Sequence, residues 1–107
     1  MTYIVTFTVP GRPRGKERPR IGRNGKFYTP RTTREYEESV AWFAKAAYKG
    51  EPTKDPVRLD MTIRSSKSRA DTSNILKSIE DGMNGIIYVD DNQIKEIHII
   101  RTEADGE

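Results

Sequence analysis

Asp71-Thr72-Ser73-Asn74-Ile75-Leu76-Lys77-Ser78-Ile79-Glu80-Asp81-Gly82-Met83-Asn84-Gly85-Ile86-Ile87-Tyr88-Val89-Asp90-Asp91-Asn92-Gln93-Ile94 carries the decisive local signals of this chain. Ile75, Leu76, Ile79 and Met83 recur at helical spacing, so the pattern predicts a helix from about Ser73 to Asn84, with Gly85 as its stop. At about 100° per residue, Asp71, Asn74, Lys77, Ser78 and Asp81 fall within roughly a third of the circumference, opposite that apolar stripe. Residues 86–89 and 94–100 are rich in β-branched side chains and predict two strands, separated by Asp90-Asp91-Asn92, which suits a turn.

Working outward, residues 57–63 alternate Val57, Leu59, Met61 and Ile63 against Arg58, Asp60 and Thr62, which predicts a strand. Before it, Tyr36, Val40, Phe43 and Ala47 form one helical stripe. Thr32 and Glu35 form a capping box at its start, and Gly50 with Pro52 stops it. Residues 3–9 alternate as a strand, with Tyr3, Val5, Phe7 and Val9 on one face, and Pro10-Gly11 ends it. The twenty residues 11–30 hold three prolines and four glycines and read as an extended loop. The expected fold is therefore α/β (α+β), a small mixed β-sheet with two helices packed on it, in the order β-α-β-α-β-β. Residues 1–107 read as a single domain, with no repeat, linker or low-complexity tract.

Composition narrows the function. Nineteen Lys and Arg oppose sixteen Asp and Glu, a net charge of +3, a balance that suits contact with polyanions. Between Arg12 and Arg34, nine cations meet a single acid, Glu17, while carboxylates gather in the C-terminal half. Without cysteine there is neither a disulfide framework nor a thiolate zinc site. No stretch approaches membrane-spanning length and the first residues do not resemble a secretion signal, so the expected location is the cytoplasm. Leu, Ile, Val and Phe make up only roughly a fifth of the residues, so a homodimer is expected to supply further burial.

The chemistry-bearing residues admit more than one reading. The polar face of the second helix suits a solvated surface with Asp71 or Ser73 as N-cap. It equally suits a site in which a neighbouring strand returns Asp90 and Asp91 to Asp71, and a cation holds the carboxylates together. Hard oxygen ligands of this kind suit Mg²⁺ or Mn²⁺, which activate water and stabilise a phosphodiester under attack. Asp90-Asp91 also suits a plain hairpin turn. Lys77 is either a solvated lysine or a fixed cation for a phosphate. Arg12, Arg14, Lys16, Arg18, Arg20, Arg23 and Lys26, stiffened by Pro13 and Pro19 and interleaved with Phe27 and Tyr28, suit a phosphate backbone; the bland alternative is a solvated loop. His98 reads as a strand histidine. No Ser-His-Asp set, phosphate-cradling glycine loop or histidine-rich metal pattern is present, so neither side-chain nucleophilic catalysis nor an organic cofactor is expected.

The run Arg69-Ala70-Asp71-Thr72-Ser73-Asn74-Ile75-Leu76-Lys77, then Glu80-Asp81-Gly82-Met83-Asn84-Gly85, then Tyr88-Val89-Asp90-Asp91-Asn92-Gln93-Ile94 resembles the RusA family of Holliday junction resolvases. That family's pattern is roughly D-x-D-N-L-x-K, D-A-L-N-G and D-D-x-Q-I, in the same order and spacing. The resemblance implies a homodimeric, Mg²⁺-dependent endonuclease that binds branched DNA and nicks four-way junctions symmetrically in recombination and repair. It implies Asp71, Asp90 and Asp91 around the metal, with Lys77 assisting at the phosphate; Ser73, Asn74 and Asp81 beside them are candidates for a supporting role. The departure is Ser73, where the family has a second acid; Asp81, or Glu80, is the candidate to replace its charge. The chain also ends soon after its last expected strand, so a final family strand is expected to be missing. A non-cleaving, structure-selective DNA-binding protein of the same fold is the alternative, and a protein-interaction domain with a basic docking arm the third.

Overall fold

Alternating side chains decide the central pairing. In the computed structural model, which describes residues 4–64 and 71–102, strand β3 (Val57–Arg64) turns Ile63 into the core with Val57, Leu59 and Met61 half-buried, and leaves Arg58, Asp60, Thr62 and Arg64 exposed. It pairs in parallel with β4 (Ile94–Thr102), in register from Arg58↔Glu96 to Arg64↔Thr102 after an irregularity beyond Val57↔Ile94. Parallel neighbours need a long crossover, and α2 (Thr72–Met83) supplies it.

Helix α1 (Arg31–Ala47) packs against α2. Val40 and Ala44 of α1, Met83 of α2 and Tyr88 form the buried centre, and Val57, Leu59, Ile79, Ile86, Ile87 and Ile94 pack around it. The crossing is tight at Gly82, where a Cβ would lie 2.7 Å from the Cβ of Val40 and 3.0 Å from the carbonyl of Glu37. Small residues one turn apart, Ser78 and Gly82, are both buried and admit the neighbouring helix.

Several expectations are corrected. Among the described residues the architecture is α+β with two two-stranded sheets instead of one mixed sheet, and the order is β-β-α-β-α-β. Residues 4–9 form no strand. Their alternation persists as burial, with Val5, Phe7 and Val9 half-buried, and Phe7 and Val9 touch the core without joining a ladder. Tyr3 lies outside the described residues. Residues 86–89 form a turn region instead: Gly85 adopts φ +81°, the Ile86 and Ile87 amides donate to the Met83 carbonyl, and Tyr88 makes isolated bridges to Thr53 and Asn84. Burial of Tyr88 overrides the strand preference of its neighbours. The proline-rich segment contains an antiparallel hairpin, β1 (Arg20–Ile21) with β2 (Phe27–Tyr28). The Thr32/Glu35 capping box does not form: Pro30 is the N-cap, Glu35 accepts from Arg31 at 2.7 Å, and Thr33 accepts the amide of Glu17. Ala44 takes the core place expected of Ala47, which is exposed in the last turn. Ser78, expected on the polar face, is fully buried. Among the described residues, no helix is long and apolar enough to cross a membrane.

Candidate active site

Residues four apart on a helix share a face, so Lys77 and Asp81 meet on one edge of α2, with Lys77 Nζ 3.7 Å from Asp81 Oδ1. The same ammonium lies 3.5 Å from Asp91 Oδ2, so the lysine stands between two carboxylates from different elements. Asp91 opens a single 3₁₀ turn, Asp91–Gln93, that leads directly into β4.

That turn is held by its neighbours. Asp90 caps it, accepting the amide of Asn92 at 3.1 Å, and Gln93 Oε1 accepts the amides of Val89 and Asp90 at 2.9 Å each. Gln93 Nε2 donates to the carbonyls of Thr53 at 2.8 Å and Asp55 at 3.0 Å. These last two bonds tie the turn to the segment that enters β3. The two aspartates thus divide their work: Asp90 caps, and Asp91 faces Lys77.

Lys16 closes the other side. Its ammonium lies 2.7 Å from Glu37 and 2.9 Å from Asp81, and its amide donates to the carbonyl of Asn74. Burial pulls the Lys16 ammonium down, but its hydrogen bonds and charge pairing with Glu37 and Asp81 outweigh that and hold it above the usual lysine value. A line of alternating charge results, Glu37–Lys16–Asp81–Lys77–Asp91. Beside it Glu80 is pushed above the ordinary carboxylate value, first by burial and then by Asp91 and Asp81, with Lys77 opposing. Tyr88 donates its hydroxyl to the Glu80 carbonyl at 2.7 Å, and its phenol is pushed well up by burial and by the surrounding acids. An open depression of about 270 Å³ between the helices adjoins the site, lined in part by Arg34, Glu37, Asp81 and Asn84.

The other expected residues stand apart. Asp71 is the exposed N-cap of α2 with no side-chain cap bond, and ten residues of helix separate it from Asp81 by about 15 Å of rise. Among the described residues no three His, Cys, Asp or Glu side chains converge as a metal cage, so Asp71, Asp90 and Asp91 do not meet. Ser73 and Asn74 are exposed, and Arg69 and Ala70 lie outside the described residues. Of the basic arm, Arg12, Arg14, Arg18, Arg23 and Lys26 are exposed, Arg20 pairs with Glu17, and Lys16 is committed inward rather than toward an external phosphate. His98 is an exposed strand residue beside Glu96, 2.7 Å away.

Glu37 joins the site without a signal in the sequence. No local pattern marks Glu37, whose role depends on a partner far along the chain. Gln93, three residues after Asp90, does carry a readable signal, the spacing of a capping box.

The acids offer hard oxygen donors and Lys77 already holds a positive charge between two of them. Donors of that kind would suit a hydrated divalent cation, which takes one or two carboxylates together with substrate phosphate. A family model described as Endodeoxyribonuclease RusA matches residues 10–106. No curated protein matches the chain.

Proposed function

The chain belongs to the RusA endodeoxyribonuclease family, and from that premise we propose that it is a Mg²⁺-dependent endonuclease that binds and resolves four-way DNA junctions. It acts in the cytoplasm as a homodimer of single-domain protomers, one site in each. The observation that supports this most is Lys77 held 3.5 Å from Asp91 and 3.7 Å from Asp81, at the exposed edge of α2.

In this reading Lys77 offers its half-exposed ammonium to a phosphate oxygen, where charge develops as the phosphodiester is attacked. Asp91 and Asp81 hold the ammonium in place and would offer oxygen donors to the metal, while Asp90 caps the turn beside them and Asp71 stands at the far end of α2. Magnesium supplies activation of the attacking water and neutralisation of the phosphate. Glu80, its proton affinity raised, adds negative charge beside that set. Arg12, Arg14, Arg18, Arg20, Arg23 and Lys26 contact the backbone, and Lys16 anchors their segment to the site. Ser73, exposed where the family places an acid, favours a second reading in which the same fold binds junctions without cutting them.

Incubation of a synthetic four-way junction with the protein and Mg²⁺, followed by mapping of the nicks, tests the proposal. Paired, symmetry-related nicks on the junction and none on a linear duplex of the same sequence are expected. Tight junction binding with no nick in either Mg²⁺ or Mn²⁺ would select the non-cleaving reading.

A further inference from the structure

The β1–β2 hairpin presents an apolar surface that no part of the described protein covers. Ile21 and Phe27 are directly opposed across the ribbon, so their side chains share one face, and they are 66% and 72% exposed. The other face carries Arg20 and Tyr28, the latter 48% exposed. The tip is closed by its own bonds: the Gly22 amide donates to the Lys26 carbonyl at 2.8 Å, the Gly25 amide to the Gly22 carbonyl at 3.0 Å, and Asn24 Oδ1 accepts the Lys26 amide at 3.1 Å. Gly25 adopts φ +78°, which L side chains rarely take. A short ribbon gains little from exposing a phenylalanine to water, so its aromatic face suits an external ligand.

Charge identifies that ligand. From Arg18 to Arg34 every ionisable side chain apart from Tyr28 is a cation, and Arg18, Arg23 and Lys26 have no ion-pair partner among the described residues. A flat ring flanked by unpaired cations matches a nucleobase with phosphates on either side. Within duplex DNA both faces of each base are already stacked; a free face appears where strands part.

We propose that the hairpin is a base-stacking site, in which Phe27, backed by Ile21, covers the exposed base at the branch point of a DNA junction. The inference rests on the junction-binding reading above and extends it to how the branch is located. Reach is compatible: Lys16 is fixed to Asp81, and Arg20, four residues further on, lies at most about 14 Å from it. The hairpin therefore continues the segment that Lys16 anchors beside the Lys77–Asp91 pair.

The test uses the full chain and two four-way junctions, in EDTA to prevent cutting. One carries 2-aminopurine at the branch point and the other carries it in mid-arm. Wild type is expected to alter the fluorescence of the branch-point probe only. Phe27→Leu, which keeps apolar bulk and removes the flat ring, is expected to abolish that change and to lower the preference for junction over duplex about tenfold, while Phe27→Trp preserves both. Thermal melting of the exposed-site variants should match wild type. A Phe27→Leu protein with unchanged fluorescence response and junction preference overturns the inference alone. The same holds if Phe27→Leu changes only sedimentation, which would make the face a contact between copies. Wild type that binds junction no better than duplex overturns the junction reading itself and the inference with it.

Discussion

The two ends of α2 carry similar polar residues and have opposite surroundings. At the N-terminal end Asp71, Ser73 and Asn74 are exposed; there Thr72 accepts from Arg101 at 3.1 Å and the Asn74 carbonyl accepts the amide of Lys16. At the C-terminal end Ser78 and Gly82 are buried against α1, and Lys77 and Asp81 are held by groups from the arm and from the turn before β4. A polar helix face becomes a site where a second element approaches closely enough to fix its charges.

The severest way to break the packed end is at its crossing. Gly82→Ala puts a methyl 2.7 Å from Val40, and overpacking of this kind costs about 1–3 kcal/mol. The melting temperature is expected to fall by roughly 5–15 °C, with junction cleavage lost at temperatures where the exposed end is unaffected. An unchanged melting temperature would show that the helices separate freely.

Two neighbouring cations sharpen the contrast. Lys16→Ala leaves Glu37 and Asp81 without their shared partner and is expected to cost about 1 kcal/mol, between the values of exposed and buried pairs, with little change in the salt dependence of DNA binding. Arg14→Ala is expected to leave stability unchanged and to reduce the slope of log K against log salt by about 0.9. Thermal melts and salt titrations of both variants check the pair; reversed outcomes would exchange the roles of the two residues.

The smallest effect concerns Glu80. Its raised pKa means that the folded state holds the proton more tightly than the unfolded state, so the stability linked to it is present below the ordinary carboxylate pKa and lost as pH rises through the raised value. Glu80→Gln is therefore expected to melt slightly higher than wild type at neutral and alkaline pH. The gain should shrink toward nothing below about pH 4. A gain that grows as pH falls would contradict the assignment.

Elements with strong periodicity were legible: β3, α1, α2 and β4 form within two residues of their expected bounds. Short β-rich runs were not. The preference of Ile86, Ile87 and Val89 for strand gives way to the turn that Gly85 and buried Tyr88 impose, and the alternation at 4–9 reports packing without pairing. Of the site, Lys77 and Asp91 were readable from order and spacing. Ser78 sits at the margin of the polar arc, where angle alone does not decide burial. Lys16 reads like any other cation of its arm, and only its distant partners Glu37 and Asp81 distinguish it.

In the proposed function the packed end of α2 performs the chemistry through Lys77 and Asp91. Asp91→Asn keeps the size and turn preference of the residue and removes its charge, and Asp90 and Gln93 still hold the turn. The single-turnover cleavage rate of a mapped four-way junction in saturating Mg²⁺ is the direct measure. A fall of about a hundredfold or more is expected, with junction affinity and melting temperature near those of wild type. Cleavage at close to the wild-type rate, or a loss that only follows unfolding, would contradict it.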